Sequence, residues 1–242
     1  MPIRLLLLFL ICTCISTANA QINRNSNFIE FGIGLAATNY SGDMAEPHLE
    51  LVQTRIGGQL FVRYQLHPNF LVRGQVFGGV VAGDDKHSPV HAGRNFKFST
   101  TLVEVSGLLE MALGTYAYDP LFSASTLYIS PYLFGGVGAC FARPKVTYYG
   151  SEARRDYFVR APLPEGGTGQ TLLVAPFGVG VRMIARQQLS FGLEATARPT
   201  FSDLFDGVSQ NGNSTERDWY YTVGVTVSYY LNGPWNPADT NF

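Results

Sequence analysis

Three sets of residues have types and spacings that suggest chemistry. His87 and His91 stand four apart beside Asp84 and Asp85, and on a helix that spacing would turn two imidazoles to one face as metal ligands. Pro89 and Gly93 interrupt the segment, so it reads as a loop, and no metal site or cofactor is expected. Ser99, Ser106 and Ser209 are the hydroxyls nearest to consideration as nucleophiles. None lies in a motif that marks one, and no catalytic residue is assigned. The third set is the most informative: Glu30, Glu104, Glu110 and Glu194 against Arg63, Arg73, Arg182 and Arg198. Each falls on the polar face of an alternating segment. Four acids and four arginines directed into a narrow lumen must pair and hydrogen-bond, because an uncompensated buried charge is prohibitively costly. They read as a structural polar plug rather than an ion or proton path. Glu194 and Arg198 share one strand, so each is expected to find its counter-charge on a neighbouring strand. Arg55 falls nearer the rim.

The elements that must position these charges are β-strands. Period-2 alternation recurs at 28–38, 54–66, 70–82, 97–113, 126–142, 171–184, 188–198 and 218–231. In the last, Trp219, Tyr221, Val223, Val225, Val227, Tyr229 and Leu231 alternate with Tyr220, Thr222, Gly224, Thr226 and Ser228. In 97–113, Leu102 and Leu108 blur the pattern. The connections alternate in length. Short turns at 66–69 and 185–188 and a longer one at 114–125 contrast with long polar segments at 39–53, 83–96, 143–170 and 199–217. Short turns on one side and long loops on the other are the rule for outer-membrane barrels. The fold class expected is therefore all-β: a transmembrane antiparallel β-barrel of eight strands. Its interior would be just wide enough for side chains to fill.

Composition agrees. Charged residues make up 14% of the chain, against about 25% in ordinary soluble domains. The only lysines are Lys86, Lys97 and Lys145. A soluble sandwich would carry lysine and mixed charge on its wet face, whereas here the apolar face is nearly free of charge, as a lipid-facing band must be. A net charge of −1 leaves no basic footprint for nucleic acid. Residues 1–20 read as a signal peptide: Arg4, the apolar run Leu5–Ile11, then Ala18-Asn19-Ala20. The barrel then occupies 21–231 and a short periplasmic tail 232–242. An even strand number puts both termini in the periplasm of a Gram-negative outer membrane. Cys140 is the cysteine left after cleavage and reads as a small packed side chain. Tyr64 and Tyr229 at one end, with Trp219 and Tyr221 toward the other, suit the aromatic girdles of a membrane barrel.

Several motifs, taken in order, resemble the PorG proteins of the Bacteroidota type IX secretion system. They are Phe31-Gly32-Ile33-Gly34-Leu35, Asn39-Tyr40-Ser41-Gly42-Asp43, Gly83-Asp84-Asp85, Glu104 to Glu110, Ser130 to Gly138, and Pro176-Phe177-Gly178-Val179-Gly180. The most specific is Arg198 to Asp203 followed by Asp206-Gly207-Val208-Ser209. Asp203, Asp206, Val208 and Ser209 thus mark a family-like loop, while Leu204-Phe205 departs from the family's pattern. The resemblance implies a non-enzymatic outer-membrane component that anchors or assembles a periplasmic ring of PorK- and PorN-type subunits. The last strand also resembles the signal read by the barrel-assembly machinery during insertion, through Thr222, Gly224, Val227 and Tyr229.

Partners other than outer-membrane lipid are expected on the short-turn side. Tyr116, Tyr118 and Phe122 in the turn 114–125, and Trp235 in the tail, exceed what closing a barrel requires and are candidate periplasmic docking residues. Membrane-interface anchoring would use the same residue types. Two further functions stay open: a freestanding structural or adhesive barrel, and an outer-membrane lipid-modifying enzyme.

Overall fold

The computed structural model describes residues 28–41, 53–67, 69–85, 95–118, 127–152, 155, 159, 169–185, 188–201, 205 and 218–231. The predicted signal peptide, the tail, and the pair His87 and His91 lie outside these residues. The described residues form ten strands: β1 (Ile29–Ser41), β2 (Arg55–His67), β3 (Phe70–Asp84), β4 (Phe96–Ala112), β5 (Tyr116–Tyr118), β6 (Leu127–Tyr148), β7 (Gln170–Val174), β8 (Phe177–Ala185), β9 (Leu189–Pro199) and β10 (Trp219–Tyr230). All pairings are antiparallel. The order runs β4-β3-β2-β1-β10-β9-β8-β6, and the β4–β6 pairing closes it.

Two of the ten are continuations rather than separate staves. β7 and β8 both pair with β6 in one register, Gly138 opposite Val174 and Gly135 opposite Phe177. Pro176 lies between them. It has no N–H to give the ladder and interrupts it, although its carbonyl still accepts from the Gly136 N–H at 2.9 Å. β5 likewise continues β4 along β6, with Tyr116 opposite Ile129. The step between them is absorbed at Gly114, whose φ of 147° an L side chain rarely adopts. The reading of 114–125 as a turn throughout is corrected here: the ladder runs on to Tyr118. Counting these continuations once gives the closed eight-stranded barrel.

Its stagger follows from the register. The row that starts at Ile29 passes through Tyr64, Val72, Leu109, Gly135, Phe177, Ala197 and Tyr221, and returns to β1 at Asn39. For eight strands, a ten-residue offset from 29 to 39 corresponds to a tilt of roughly 40°. On β10 and the residue that follows it, outward apolar side chains run from Tyr221 to Leu231. At 3.3 Å per residue and that tilt they cover about 25 Å of height, the thickness of a lipid-facing band. Phe31, Ile33 and Leu35 on β1, Leu60 on β2, Val105 and Leu109 on β4 and Phe191 and Leu193 on β9 are all exposed within it. No helix among the described residues is long and apolar enough to cross a membrane; the strands do so.

Leu102 and Leu108, which blur the alternation in sequence, point inward and are buried. β4 alternates without a fault from Phe96 to Met111.

The strands run further toward the long-loop end than the alternation of outward apolar residues predicts. β3 reaches Asp84, and β6 reaches Tyr148 instead of stopping at 142. Past the band the pattern persists with its faces exchanged. Arg143, Lys145, Thr147, Lys97 and Ser99 point out, while Ala142, Val146, Phe96 and Phe98 are buried inside.

Candidate functional site

The eight predicted lumen charges come together in the barrel interior, each 6% exposed or less. They form two tiers. The larger lies toward the short-turn end and joins Glu30, Glu110 and Glu194 to Arg63, Arg73 and Arg182. Arg63 is its centre. Its Nε donates to Glu110 at 2.8 Å, one terminal nitrogen to Glu30 at 3.0 Å and the other to Glu194 at 2.8 Å. Arg73 grips Glu194 with both terminal nitrogens, at 2.8 and 3.1 Å. Arg182 donates to Glu110 at 2.9 Å. Glu194 also accepts from the Tyr132 hydroxyl at 2.6 Å and from Gln59 Nε2 at 3.1 Å. Glu30 accepts from Ser190 at 3.1 Å and from Ser228. Charge-assisted and bidentate bonds of this kind are the strong ones and offset much of the cost of burying these charges, although Glu30 Oε2 and the Nε atoms of Arg73 and Arg182 make no hydrogen bond among the described residues.

Aromatic rings complete the tier. The guanidinium carbons of Arg63 and Arg73 lie 4.2 and 4.4 Å from the Phe61 ring centroid. Phe61 can occupy the lumen because Gly32 stands opposite it on β1: a Cβ there would collide with the ring. Below, Phe28, Leu71, Ile184 and Tyr230 form an apolar cap over the short-turn end.

The second tier is a single pair. Arg198 Nε lies 2.9 Å from Glu104 Oε2. Arg198 also donates to Thr222 at 2.6 Å, while Glu104 accepts from Ser106 at 2.8 Å and from the Tyr220 hydroxyl. The expectation that Glu194 and Arg198 find counter-charges on neighbouring strands is overturned. β9 lies between β8 and β10, yet Glu194 pairs with β2 and β3, and Arg198 with β4. An eight-stranded lumen is narrow enough for Arg and Glu to reach across it.

Above the second tier the filling becomes apolar. Phe77, Val81, Phe98, Leu102, Cys140, Leu172 and Val174 are buried together there. Into this cluster comes Phe205, from the segment joining β9 to β10, fully buried. Its ring stacks on Tyr220, centroids 5.1 Å apart and planes 4° from parallel, and on Tyr40 at 6.2 Å. Its backbone is held on both sides: the N–H donates to Asp218 Oδ2 at 3.1 Å, and the carbonyl accepts from Thr100 Oγ1 at 2.9 Å. Asp218 in turn accepts from the Tyr40 hydroxyl. Val159, from the segment between β6 and β7, packs against the same cluster.

Phe205 is the principal residue that the sequence reading missed. The available signal was an adjacent large apolar pair, Leu204-Phe205, in a mostly polar loop, at the level where inward strand positions turn from charged to apolar. The family-like residues Asp203, Asp206, Val208 and Ser209 flank it and lie outside the described residues, as do Phe122 and Trp235. Tyr116 is exposed on β5, and Tyr118 ends that strand opposite Leu127. Ser106 serves as a donor to Glu104. Among the described residues, no group of three His, Cys, Asp or Glu side chains is arranged to hold a metal ion.

A family model described as a domain of unknown function, DUF6089, matches residues 3–236. No curated protein matches the sequence. Among solved structures the chain is similar to Ail, the attachment invasion locus protein of Yersinia pestis, at 13% identity. That match covers 85% of this chain and 99% of that one, with a TM-score of 0.43. Neisserial surface protein A matches at 10% identity over 85% and 97%, TM-score 0.42. A major outer membrane protein from Thermus thermophilus matches at 17% over 84% and 99%, TM-score 0.40. The apolar girdle, closed ladder and ion-paired lumen are those of an eight-stranded transmembrane β-barrel.

Proposed function

The chain belongs to the DUF6089 family, and from that premise we propose that it is a solute-tight, non-catalytic outer-membrane anchor whose work is done at its two ends. The observation that carries this reading is the filled lumen. Two ion-paired tiers, an apolar cap below and a Phe205-centred plug above occupy the space that a channel or a buried active site would need. With the bore occupied, the surfaces left for binding are the rims and loops. Both termini and the short turns face the periplasm in this reading, and the long loops face outward, as in other outer-membrane barrels.

The partner proposed is a periplasmic ring of PorK- and PorN-type subunits, with the protein acting in assembly or anchoring of a type IX secretion machine. The ordered motifs from Phe31-Gly32 to Asp206-Gly207-Val208-Ser209 support this. Exposed Tyr116, at the short-turn end, belongs to the proposed docking surface together with Tyr118, Phe122 and Trp235. The test is co-purification from native membranes. Wild type should bring ring subunits with it. Tyr118→Ser with Phe122→Ser, or deletion of 233–242, should leave an inserted barrel that no longer does. Retention of the ring by both variants, with loss on changing 199–217, would move the interface to the other end. Planar-bilayer recordings on the pure protein should give no stable conductance.

A further inference from the structure

Lys97, Arg143 and Lys145 share one outward patch. The chain has three lysines, and two of them stand on adjacent strands here. The register gives Val103 opposite Phe141, then Thr101 opposite Arg143, Ser99 opposite Lys145 and Lys97 opposite Thr147. Val103 and Phe141 are the last exposed apolar pair of the band on these strands. Beyond them the same outward face becomes basic. Lys97 and Lys145 are diagonal neighbours, about 7–8 Å apart at that spacing. At 3.3 Å per residue and a tilt of roughly 40°, Arg143 stands about 5 Å above Phe141 and Lys145 about 10 Å above it. An open hollow of about 610 Å³ lies against Lys97 and Lys145, lined also by Asp84, Phe98, Ser99, Thr147 and Tyr149, with Arg143 outside it. Asp84 is the acid within it, and its Oδ1 accepts from the Tyr149 hydroxyl at 2.9 Å. Among the described residues, Lys97, Arg143 and Lys145 make no ion pair.

We propose that this patch is a binding site for a phosphate-bearing lipid headgroup, specifically a bisphosphorylated saccharolipid of the lipid A class. Its position decides the occupant. The three cations point out from the barrel wall, not into the lumen, at the level where acyl chains give way to headgroups. An interfacial layer there is only about 5–7 Å deep for simple phospholipids. Cations spread from about 5 Å (Arg143) through about 10 Å (Lys145) to about 15 Å (Lys97, six residues beyond Val103) above the apolar edge fit a headgroup that carries more than one phosphate through its depth better than one with a single phosphate. The hydroxyls of Ser99 and Thr147 on the same face supply further donors. The inference rests on the reading that the long-loop end faces outward. That reading has its own check: a membrane-impermeant amine reagent on intact cells should label Lys97 or Lys145, whatever the secretion partner proves to be.

The test is native mass spectrometry and equilibrium binding on the full mature chain, in detergent and in phosphatidylcholine nanodiscs, with bisphosphoryl lipid A, monophosphoryl lipid A and phosphatidylglycerol as probes. Bisphosphoryl lipid A should bind most tightly. Lys145→Gln and Arg143→Gln should each weaken it roughly five-fold, and the triple variant with Lys97→Gln by more than about fifty-fold. Arg55→Gln, at the rim of β2, should leave binding unchanged. If the triple variant proves hard to refold, the single variants carry the measurement. Equal binding of phosphatidylglycerol, an unchanged affinity in the Gln variants, or an equal loss on Arg55→Gln would each overturn the proposal.

Discussion

The barrel is built in two halves that solve the same problem with opposite faces. Through the lipid band β4 turns Val103, Val105 and Leu109 outward and Glu104, Ser106 and Glu110 inward. A few residues up the same strand, Lys97 and Ser99 face out while Phe96 and Phe98 are buried. β6 makes the same exchange between Phe141 and Arg143. The backbone is continuous across the change, with unbroken pairing from Ala112–Tyr132 to Phe96–Tyr148. The exchange follows the solvent outside. Hydrocarbon gives no hydrogen bonds, so polar groups collect in the lumen and must satisfy one another. Above the band headgroups and water lie outside, and the interior can be an ordinary apolar core. Ion pairing thus holds one half together, and aromatic packing the other.

If so, the largest loss should come from the charged half. Glu194 accepts from Arg63, Arg73, Tyr132 and Gln59. Glu194→Ala leaves three buried arginines against two acids, with Arg73 keeping only Glu110, at 3.2 Å, and should cost about 3–5 kcal/mol, read as a lower transition temperature in heat-modified gel mobility. A variant as stable as wild type would remove the pairing account of this half.

The lipid boundary should be visible from outside at nearly the same scale. Leu60 is exposed on the band and sits between Ile33 and Val76 in the ladder. Leu60→Lys is expected to cost about 2–4 kcal/mol in refolding into bilayers.

The aromatic half should respond more locally. Phe205→Ala removes a ring stacked between Tyr40 and Tyr220 and should cost about 3 kcal/mol or slightly less. The barrel should still insert, and the change should appear as faster hydrogen exchange at Thr100 and Thr200 while the amides around Arg63 and Glu194 remain protected. Uniform loss of protection would show that the two halves do not separate.

The smallest effect sharpens the boundary. Thr147 faces out at the level of Lys97. Thr147→Lys should change stability by less than about 0.5 kcal/mol, in contrast to Leu60→Lys. A penalty as large as that of Leu60→Lys would place this rung inside the hydrocarbon.

Amino-acid order by itself determined the eight staves where they cross the lipid band, their inward and outward faces there and the eight lumen charges. All of these rest on a period of two, which survives without knowledge of any partner strand. Charge balance could also be anticipated, because four acids and four arginines on polar faces leave no cheap alternative to pairing. Which charge meets which was settled by the stagger and the bore. Glu194 reaches β2 and β3, and Arg198 reaches β4, because the lumen is narrow and its levels are set by the offset from Ile29 to Asn39. The upper half was harder to read, since the outward apolar signal that marks a membrane strand reverses there, and alternation alone does not say which solvent lies outside. Phe205 carries no period at all. Its place between Tyr40 and Tyr220 exists only after the sheet has closed and brought β1, β4 and β10 around one axis.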